Sequence, residues 1–233
     1  MTTNNIASII ARSNWFQDLP SDAQNKLAES AKIESYPKNS FLYHIGDNTK
    51  NVFCILSGRI RMSLLSTQGQ QYSVDDLAPE AWVGESSFIS NDVQLFELQF
   101  IEEGQALSLN HRVVHEVGKE HPIIFYNILK DHGHRTRGIY QILQAMLFHP
   151  LKSRLAGRIL FMLPSIGVQG DGGYYLDQKL SQQDFASFAN GSRQRINQIF
   201  KTWDKEGIII MKSNRYFITD LDRLKQEVYK IDD

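Results

Sequence analysis

Hydrophobic and polar residues alternate in short runs between Ile33 and Asn110. The apolar run 52–56 predicts a buried strand, and the period-two alternation of 59–64 predicts a strand with one buried and one solvent-exposed face. Turns between such strands are indicated at Ser57-Gly58, Gln68-Gly69 and Pro79-Glu80. Strands at this spacing predict a small antiparallel β-roll of the jelly-roll type.

Before residue 33 and after residue 110, the apolar residues recur at helical spacing instead. A short helix is predicted within 15–31, another over 113–118, and a long one over 121–149. Alternating a and d positions can be assigned to eight residues of the long helix, and five of the eight are apolar. The eight are Phe125, Ile128, His132, Arg135, Ile139, Ile142, Met146 and His149. This spacing favours a two-stranded dimerisation helix over a helix that packs only on its own domain. The predicted interface consists of Phe125, Ile128, His132, Ile139, Ile142 and Met146.

Pro150 interrupts the long helix and predicts a domain boundary. Beyond it the sequence predicts a helix over 151–163, helical segments within 180–206, two short strands joined by residues 212–215, and a last helix over 221–229. The predicted fold class is therefore α+β. Its three parts are a β-roll effector domain over 1–120, a dimerisation helix over 121–149 and a winged helix-turn-helix domain over 150–233.

The segment 182–200 has the features that a helix-turn-helix requires. Ala186 is small enough for two helices to cross closely. Asn190 and Gly191 tolerate the positive φ of a tight turn, and Ser192 is a favourable N-cap for a second helix. That helix buries one face through Ile196, Ile199 and Phe200, which leaves a polar face for DNA.

The polar face predicts how DNA would be bound. Arginine binds guanine with two hydrogen bonds, and glutamine or asparagine binds adenine in the same way, so Arg193, Gln194 and Gln198 are the predicted base-reading residues. Phosphate contacts are assigned to the surrounding cations and the preceding helix start, with Lys179 as a further candidate. The full predicted DNA-binding set is Ser181, Ser192, Arg193, Gln194, Arg195, Asn197, Gln198, Lys201, Lys212 and Arg215.

Charge supports the same part of the chain. Residues 1–150 hold 12 Lys and Arg against 16 Asp and Glu, whereas residues 151–233 hold 13 against 10. A local positive potential is what phosphate binding requires. The single cysteine, Cys54, excludes an intrachain disulfide and a cysteine-ligated iron–sulfur cluster within one chain. Because no run of about 20 apolar residues and no signal peptide is found, we expect a cytoplasmic protein that does not bind membranes.

Several short motifs occur together in a recognisable order. They are Gly46-Asp47, the stretch 53–60, Gly69, the stretch 82–85 (Trp-Val-Gly-Glu) and the stretch 192–196 (Ser-Arg-Gln-Arg-Ile). From Trp15 to the C-terminus the chain thereby resembles the CRP/FNR family of bacterial regulators. The resemblance implies a cyclic-nucleotide-binding-type β-roll, a long dimerisation helix and a winged helix. It also implies a homodimer that binds double-stranded DNA at palindromic promoter sites and contacts RNA polymerase.

The effector pocket departs from the pattern of cAMP-binding members, in which a Gly-Glu pair precedes an Arg-Ser or Arg-Thr pair. Gly84, Glu85 and Ser86 match the first part, but Gln94 and Leu95 replace the phosphate-binding pair. The resemblance places Ile139 and Tyr140 at the long-helix positions that reach the adenine. A buried phosphate without a cation is costly, so a cyclic nucleotide is possible but disfavoured. The effector stays unidentified, and no cofactor or metal is assigned.

The sequence gives less support to another cation that could bind the cyclic phosphate, or to the sensing of pH, haem or redox state. Arg59 and Arg61 are expected on the solvent-exposed face of their strand. His132 and His134 offer a pH-sensing alternative, and no histidine lies in a recognisable haem motif. Cys54 is expected to pack in a core.

Two other classes of protein were weighed. An enzyme is disfavoured because the sequence contains no phosphate-binding loop, nucleophile elbow or zinc-binding helix motif. The alternative is a nucleotide-responsive protein-interaction module that does not bind DNA. Such a module would expose an apolar patch on the second helix, whereas residues 193–198 present a face rich in amides and arginine.

Overall fold

The structure, a computed structural model, describes residues 3–90, 92–176 and 179–230. The chain divides into two compact units between Gly138 and Ile139. The first unit combines a β-sheet roll with helices, and the second combines helices with a small sheet. This confirms the predicted α+β class. The division falls within the predicted dimerisation helix, and the three-part assignment 1–120, 121–149 and 150–233 stays a prediction about functional parts.

In the first unit, helices frame a sheet made of short and long strands. The helices are α1 (Thr3–Arg12), α2 (Ser21–Ser30), α3 (Glu85–Ser90), α4 (His111–Glu120) and the start of α5 (Ile123–Phe148). The strands are β1 (Lys32–Tyr36), β2 (Phe41–Tyr43), β3 (Asn51–Leu65), β4 (Gln71–Leu77), β5 (Trp82–Val83) and β6 (Glu97–Asn110). All pairs are antiparallel in the order β1-β6-β3-β4, with β2 paired to β6 and β5 paired to β3.

The turn predicted at Ser57-Gly58 is wrong, because β3 continues through it. Gly58 has φ +83, and a Cβ there would lie 2.6 Å from the carbonyl oxygen of Glu103 on β6. The pairing of β3 with β6 shifts register on both sides of Ser57. Glycine here permits a bulge and a close approach of two backbones, so the two long strands bend together without reversing.

Apolar side chains form two cores in the first unit. One lies under the helices and includes Trp15, Leu27, Val114 and Ile128. The other lies within the roll and includes Ile60, Leu98 and Phe100. Cys54 is fully buried, and burial raises the pKa of its thiol to about 12, which supports the predicted packing role over redox chemistry.

The second unit holds the C-terminal end of α5 and a four-stranded sheet packed on helices. Its further elements are α6 (Leu151–Ile166), β7 (Gly167–Gly170), β8 (Gly173–Leu176), α7 (Gln182–Ala189), α8 (Arg193–Lys205), β9 (Ile209–Lys212), β10 (Arg215–Ile218) and α9 (Leu221–Glu227). The sheet order is β7-β8-β10-β9, all antiparallel. The glycine-rich stretch 170–173 closes the β7–β8 hairpin.

A buried carboxylate joins three helices of this unit. Glu227 is 1% exposed; its Oε2 accepts from Lys152 Nζ of α6 at 2.6 Å and from Trp203 Nε1 of α8 at 3.1 Å. Lys230 Nζ contacts its other oxygen. Burial alone would raise the pKa of Glu227, but the hydrogen bonds from Lys152, Lys230 and Trp203 lower it to about 2. The ionised carboxylate therefore fixes α8 against α6 and α9.

Among the described residues, no helix is long and apolar enough to cross a membrane. The same residues include no group of three or more His, Cys, Asp and Glu side chains arranged to hold a metal ion.

Candidate functional site

The first helix of the predicted motif, α7, begins with a reciprocal cap. Ser181 Oγ accepts from the backbone N–H of Asp184 at 3.2 Å, and Asp184 Oδ2 accepts from the backbone N–H of Ser181 at 2.7 Å. The Ser181 hydroxyl also donates to Asp184 Oδ2 at 2.6 Å. A capping box of this kind fixes where α7 starts. It also sets a carboxylate beside Ser181, one of the predicted phosphate contacts.

The turn between α7 and α8 uses its two central residues differently. Asn190 takes the left-handed conformation (φ 51, ψ 57) and ends α7. Gly191 fits against α6, since a Cβ there would lie 2.6 Å from Leu151 Cδ1. Arg154 of α6 donates to the carbonyl oxygens of Ala189 at 3.0 Å and Asn190 at 3.2 Å. A cation at these carbonyls stabilises the helix end, so α6 fixes the angle of the turn.

The second helix, α8, has one buried and one exposed face. Ser192 caps it by accepting from the Arg195 N–H at 3.3 Å. Ile196 and Trp203 are fully buried, and Phe200 is 7% exposed. The predicted apolar face is thus present, with Ile199 partly buried against the same core. The exposed side chains in the first three turns are Arg193, Gln194, Arg195, Gln198, Lys201 and Thr202.

Two grooves border α8. The one facing α6 is lined by Leu151, Lys152, Arg195, Gln198, Ile199 and Thr202. The one facing the β9–β10 hairpin has a volume of about 270 Å³ and is lined by residues that include Asn197, Phe200, Lys201 and Asp204. Arg195 and Asn197 therefore flank the outward face on opposite sides.

The β9–β10 hairpin forms the predicted wing. Lys212 pairs with Arg215, and the two residues between them, Ser213 and Asn214, have φ 52 and 59. Positive φ at both positions is the geometry of a tight two-residue hairpin. The Lys212 ammonium lies 4.8 Å from the centre of the Phe217 ring, so a cation–π contact holds it over the sheet.

Glu85 lies in a buried polar cluster of the first unit. It is 4% exposed, and its Oε1 is 3.7 Å from both His132 Nδ1 and Arg135 Nη1 of α5. Asp131 Oδ2 accepts from Arg135 Nη2 at 2.9 Å and from Trp15 Nε1 at 2.9 Å. Glu85 of the Gly84-Glu85 pair thus lies near His132 and Arg135 of α5. Ser86 is half-buried beside it.

Gln94 and Leu95, which replace the Arg-Ser pair of cAMP-binding members, lie in two different environments. Gln94 is 1% exposed, and its Nε2 donates to Thr49 Oγ1 at 2.9 Å and Ser87 Oγ at 3.0 Å. Leu95 is 70% exposed. Burial raises the pKa of Glu97, which nearby His44 opposes. Ile139 and Tyr140 belong to the second unit, where they are 57% and 66% exposed.

The expectation that Arg59 and Arg61 face solvent is wrong. Their side chains are 14% and 10% exposed. Asp76 lies directly across from Arg61 on β4 and accepts from it at 2.7 Å and 2.9 Å, while Arg59 Nη1 lies 3.9 Å from the same carboxylate. The predicted alternation of exposed and buried residues over 59–64 is also wrong, because Ser63 is 1% exposed and Leu64 is 43% exposed, and the β3–β4 register shifts between Met62 and Ser63. A carboxylate on the neighbouring strand allows both arginines to be buried.

The predicted dimer series needs correction in the first unit. Ile128 is 1% exposed within its own core, and Phe125 packs against Phe88 with ring centres 6.2 Å apart. The exposed neighbours are instead Tyr126 at 62% and Leu129 at 61%. Both faces of this helix carry apolar residues, and the predicted register followed the face that packs on its own domain.

The same shift by one residue recurs in the second unit. Ile142 and Met146 are half-buried, whereas Tyr140, Leu143 and Leu147 are 66%, 49% and 65% exposed. Ile139, which belongs to the predicted series, is also exposed, and His132 Nδ1 in the first unit lies 3.7 Å from Glu85 Oε1. The exposed large apolar residues of α5 are Ile123, Tyr126, Leu129, Ile139, Tyr140, Leu143, Leu147 and Phe148. Among them, positions 126, 129, 140, 143 and 147 fit one heptad a/d register.

Two protein-family models match the chain. The cyclic nucleotide-binding domain matches residues 33–121, and the Crp-like helix-turn-helix domain matches residues 153–227. Together they cover well over half of the chain and give the two domains in the predicted order. The chain belongs to the CRP/FNR family.

Two relatives of this CRP/FNR protein align with it over nearly its whole length. The CRP-like cAMP-activated global transcriptional regulator of Mycobacterium tuberculosis is 21% identical over 93% of this chain and 96% of its own. The anaerobic regulatory protein of Bacillus subtilis is 22% identical over 91% of this chain and 90% of its own. This CRP/FNR protein is a DNA-binding transcription regulator, which confirms the predicted function class. Its family consists of regulators, not enzymes, and the comparisons give no support to a protein-interaction module without DNA binding.

Solved structures share the fold. A CooA mutant from Carboxydothermus hydrogenoformans has a TM-score of 0.75 at 19% identity, covering 90% of this chain and 91% of that one. The c-di-GMP responsive global regulator CLP of Xanthomonas campestris has a TM-score of 0.73 at 14% identity, covering 86% and 100%. These similarities concern the fold of the CRP/FNR protein and leave its effector open.

Sequence reasoning missed several residues that position the site of this CRP/FNR regulator. Arg154 and Glu227 fix α7 and α8, and Asp131 and Arg135 build the cluster around Glu85. Asp131 and Arg135 have the i,i+4 spacing of a helical ion pair, but their contacts with Trp15 and Glu85, and those of Arg154 and Glu227, are with distant elements and could not be found from spacing.

Proposed function

We propose that this regulator binds palindromic promoter DNA as a homodimer, with α8 of each copy in the major groove. The observation that carries the proposal is the outward face of α8, which begins at the capped Ser192 with exposed Arg193 and presents Gln194 and Gln198 opposite a buried apolar face. Two such helices related by a dimer axis lie about 34 Å apart, one turn of DNA. Base edges are then read by these three side chains.

Phosphate contacts come from the flanks of the same face. Arg195 lies in the groove facing α6, Lys201 borders the groove facing the wing, and Arg215 is exposed on the wing. Lys212 reaches the backbone only by leaving the Phe217 ring. Ser181, Ser192 and Asn197 complete the proposed set through helix starts and the groove edge. These contacts set the orientation of the protein and give binding its dependence on salt.

Dimerisation follows the exposed side of α5. A heptad a/d series over 126, 129, 133, 136, 140, 143 and 147 contains Tyr126, Leu129, Tyr140, Leu143 and Leu147, each about half exposed or more. Burying such positions against a second copy is what drives a two-stranded coiled coil. This register replaces the one predicted from the sequence.

The β-roll senses an effector other than cAMP. Gln94 lacks a charge and is held by Thr49 and Ser87, and Leu95 offers no hydroxyl to a phosphate. Arg61 is paired with Asp76, and Arg59 lies near both Asp76 and Glu102, so two carboxylates balance the two arginines within the roll. Among the related proteins, one is described as cAMP-activated and another as c-di-GMP responsive, so effector chemistry varies among them. No cofactor is assigned.

Promoter binding by a cytoplasmic dimer of this type would bring the protein beside RNA polymerase, which we infer to be its partner in regulation. The resemblance of the winged-helix domain to family members supports this inference.

Selection from random double-stranded DNA with the full-length protein tests the proposal. Enrichment of a palindrome without added nucleotide is expected, with loss of enrichment for Arg193→Ala. Gln226→Ala is the matched control, because this exposed glutamine lies on α9 and outside the proposed interface. Enrichment only after addition of cAMP would overturn the effector assignment, and absence of any enriched site would overturn the DNA-binding mode.

A further inference from the structure

The end of α5 is attached to α6 and to the end of α9 through one residue. His149 lies between Phe148, where α5 ends, and Pro150, and its backbone carbonyl accepts from Arg154 Nη1 at 3.1 Å. Its ring Nδ1 lies 3.1 Å from the carbonyl oxygen of Val228. Because a carbonyl oxygen only accepts, the ring donates through Nδ1–H. His149 is therefore held by its backbone on one side and by its ring on the other.

The segment that holds the ring is itself fixed to the start of α6. Ser153 is 2% exposed, and its Oγ lies 2.8 Å from the carbonyl oxygens of both Glu227 and Lys230. The Glu227 carboxylate is also bound by Lys152 of α6 at 2.6 Å. Val228 lies between these two anchored residues. The carbonyl that accepts from the His149 ring therefore keeps its position relative to α6.

Arg154 extends the attachment to the helix-turn-helix. In addition to the His149 carbonyl, its guanidinium donates to the carbonyl oxygens of Ala189 at 3.0 Å and Asn190 at 3.2 Å. A guanidinium presents its N–H donors in one rigid plane, so the three carbonyls that it binds are held relative to one another. One side chain thus connects the residue after α5 with the turn that precedes α8.

The proposed dimer seam ends beside this attachment. Leu147 lies two residues before His149 and is 65% exposed, and both residues belong to the same compact unit as the helix-turn-helix. In a dimer the two-fold axis runs between the paired α5 helices. The angle of the chain at His149 therefore sets how far each α8 lies from the axis, and that distance determines the separation of the half-sites.

We propose, building on the proposed DNA-binding dimer, that His149 and Arg154 are positioning residues that fix the angle between α5 and α8 and thereby set the half-site spacing. Neither residue has to touch DNA for this role. When the ring bond is lost, the chain can rotate at His149 over a range of angles. The protein then accepts half-sites at more than one separation.

The spacing preference of the full-length protein tests this role. DNA titrations compare the palindrome selected by the wild-type protein with the same half-sites separated by one additional base pair, about one tenth of a DNA turn. His149→Leu removes the ring donor and is expected to lower the ratio of the two affinities by about 2- to 10-fold. His149→Asn keeps an N–H donor near the position of Nδ1 and is expected to restore the ratio.

The ratio separates positioning from simple destabilisation. A loss of stability would weaken binding to both DNAs equally, so an unchanged ratio in His149→Leu would overturn the proposal. Gln141→Leu is the control, because this exposed residue lies near the same end of α5 and off the proposed seam. This variant is expected to keep the wild-type ratio.

Hydrogen exchange of the full-length protein tests the attachment without DNA. His149 is joined to the helix-turn-helix through Arg154, so His149→Leu is expected to speed amide exchange at 144–148 and also at 190–193, by about 2- to 10-fold. Faster exchange at 144–148 alone would overturn the connection through Arg154. If the wild-type protein selects no palindrome, the proposed function fails together with the spacing role, whereas exchange at 190–193 still decides whether the attachment exists.

Discussion

Trp203 and Glu227 are joined by a hydrogen bond of 3.1 Å between the indole Nε1 and a carboxylate oxygen. Both side chains are buried, and the bond links the C-terminal half of α8 to the end of α9. Lys152 of α6 binds the same oxygen at 2.6 Å. The orientation of the recognition helix therefore depends on a charge that lies outside the DNA-binding face.

Replacing Glu227 with glutamine is expected to destabilise the second unit by about 3 kcal/mol. The substitution removes the negative charge and leaves the ammonium of Lys152 without its buried partner. Urea unfolding of the full chain, followed by tryptophan fluorescence, measures the loss. Asp222→Asn on the same helix is the control, because its pair with Lys225 is exposed and its loss should change the free energy of unfolding by less than about 0.5 kcal/mol. Equal effects of the two variants would contradict the assigned role.

The same carboxylate predicts a pH dependence. The folded-state pKa of Glu227 is about 2, below the ordinary 4.5, so the unfolded chain binds the proton more readily. The stability that this group contributes is therefore complete above about pH 4.5 and is lost as the pH falls toward 2. Unfolding free energies measured across this range should fall less steeply in Glu227→Gln than in the wild-type protein. Parallel curves would show that other groups control the acid response.

Gly191→Ala is expected to weaken both stability and DNA binding. The added methyl group would lie 2.6 Å from Leu151 Cδ1, so the Leu151 side chain must shift within its core, or else the turn or α6 must move. Gly157→Ala is the control, because a Cβ there meets nothing within 4 Å. Alanine is more favourable than glycine inside a helix by roughly 1 kcal/mol, so this variant should not lose stability. Thermal melts and DNA titrations compare the two. A stable Gly191→Ala protein with unchanged DNA affinity would refute the close-contact explanation.

Leu143→Glu is expected to convert the proposed dimer to monomers. Leu143 is 49% exposed at a d position of the corrected register, and a carboxylate at each paired d position brings like charges together in a desolvated seam. Sedimentation velocity gives the oligomeric state. Gln141→Glu adds the same charge two residues earlier at an exposed position off the seam, and this variant should stay dimeric. If only the Gln141 variant is monomeric, the dimer interface must lie on a different face of α5.

Calorimetric titration with cAMP is expected to give no binding heat and no change in DNA affinity. Gln94 and Leu95 provide neither the cation nor the hydroxyl for a cyclic phosphate, and buried Glu97 lies nearby in sequence. The cAMP-activated relative from Mycobacterium tuberculosis serves as the positive control. Saturable binding by this chain would mean that another side chain supplies the charge.

The sequence by itself determined the parts whose interactions are local. Ser192 caps α8 through a residue three positions later, Asn190 ends α7 in a left-handed conformation, and Ile196 and Phe200 bury the helix at the spacing of one turn. These features need only neighbours in the chain, and so they could be predicted without the fold. The wing hairpin could be predicted for the same reason, because its turn type depends on the two residues within it.

Only the tertiary structure decided matters that depend on distant partners. Both faces of α5 carry apolar residues, so contact with the domain core determined that Ile128 is buried and Leu129 is exposed. Arg61 is buried because Asp76 lies opposite it on another strand, and Gly58 forms a bulge because β6 passes close by. The energy of each arrangement comes from a group far away along the chain. Local spacing therefore predicted the surface that is proposed to bind DNA, and packing determined how that surface is held.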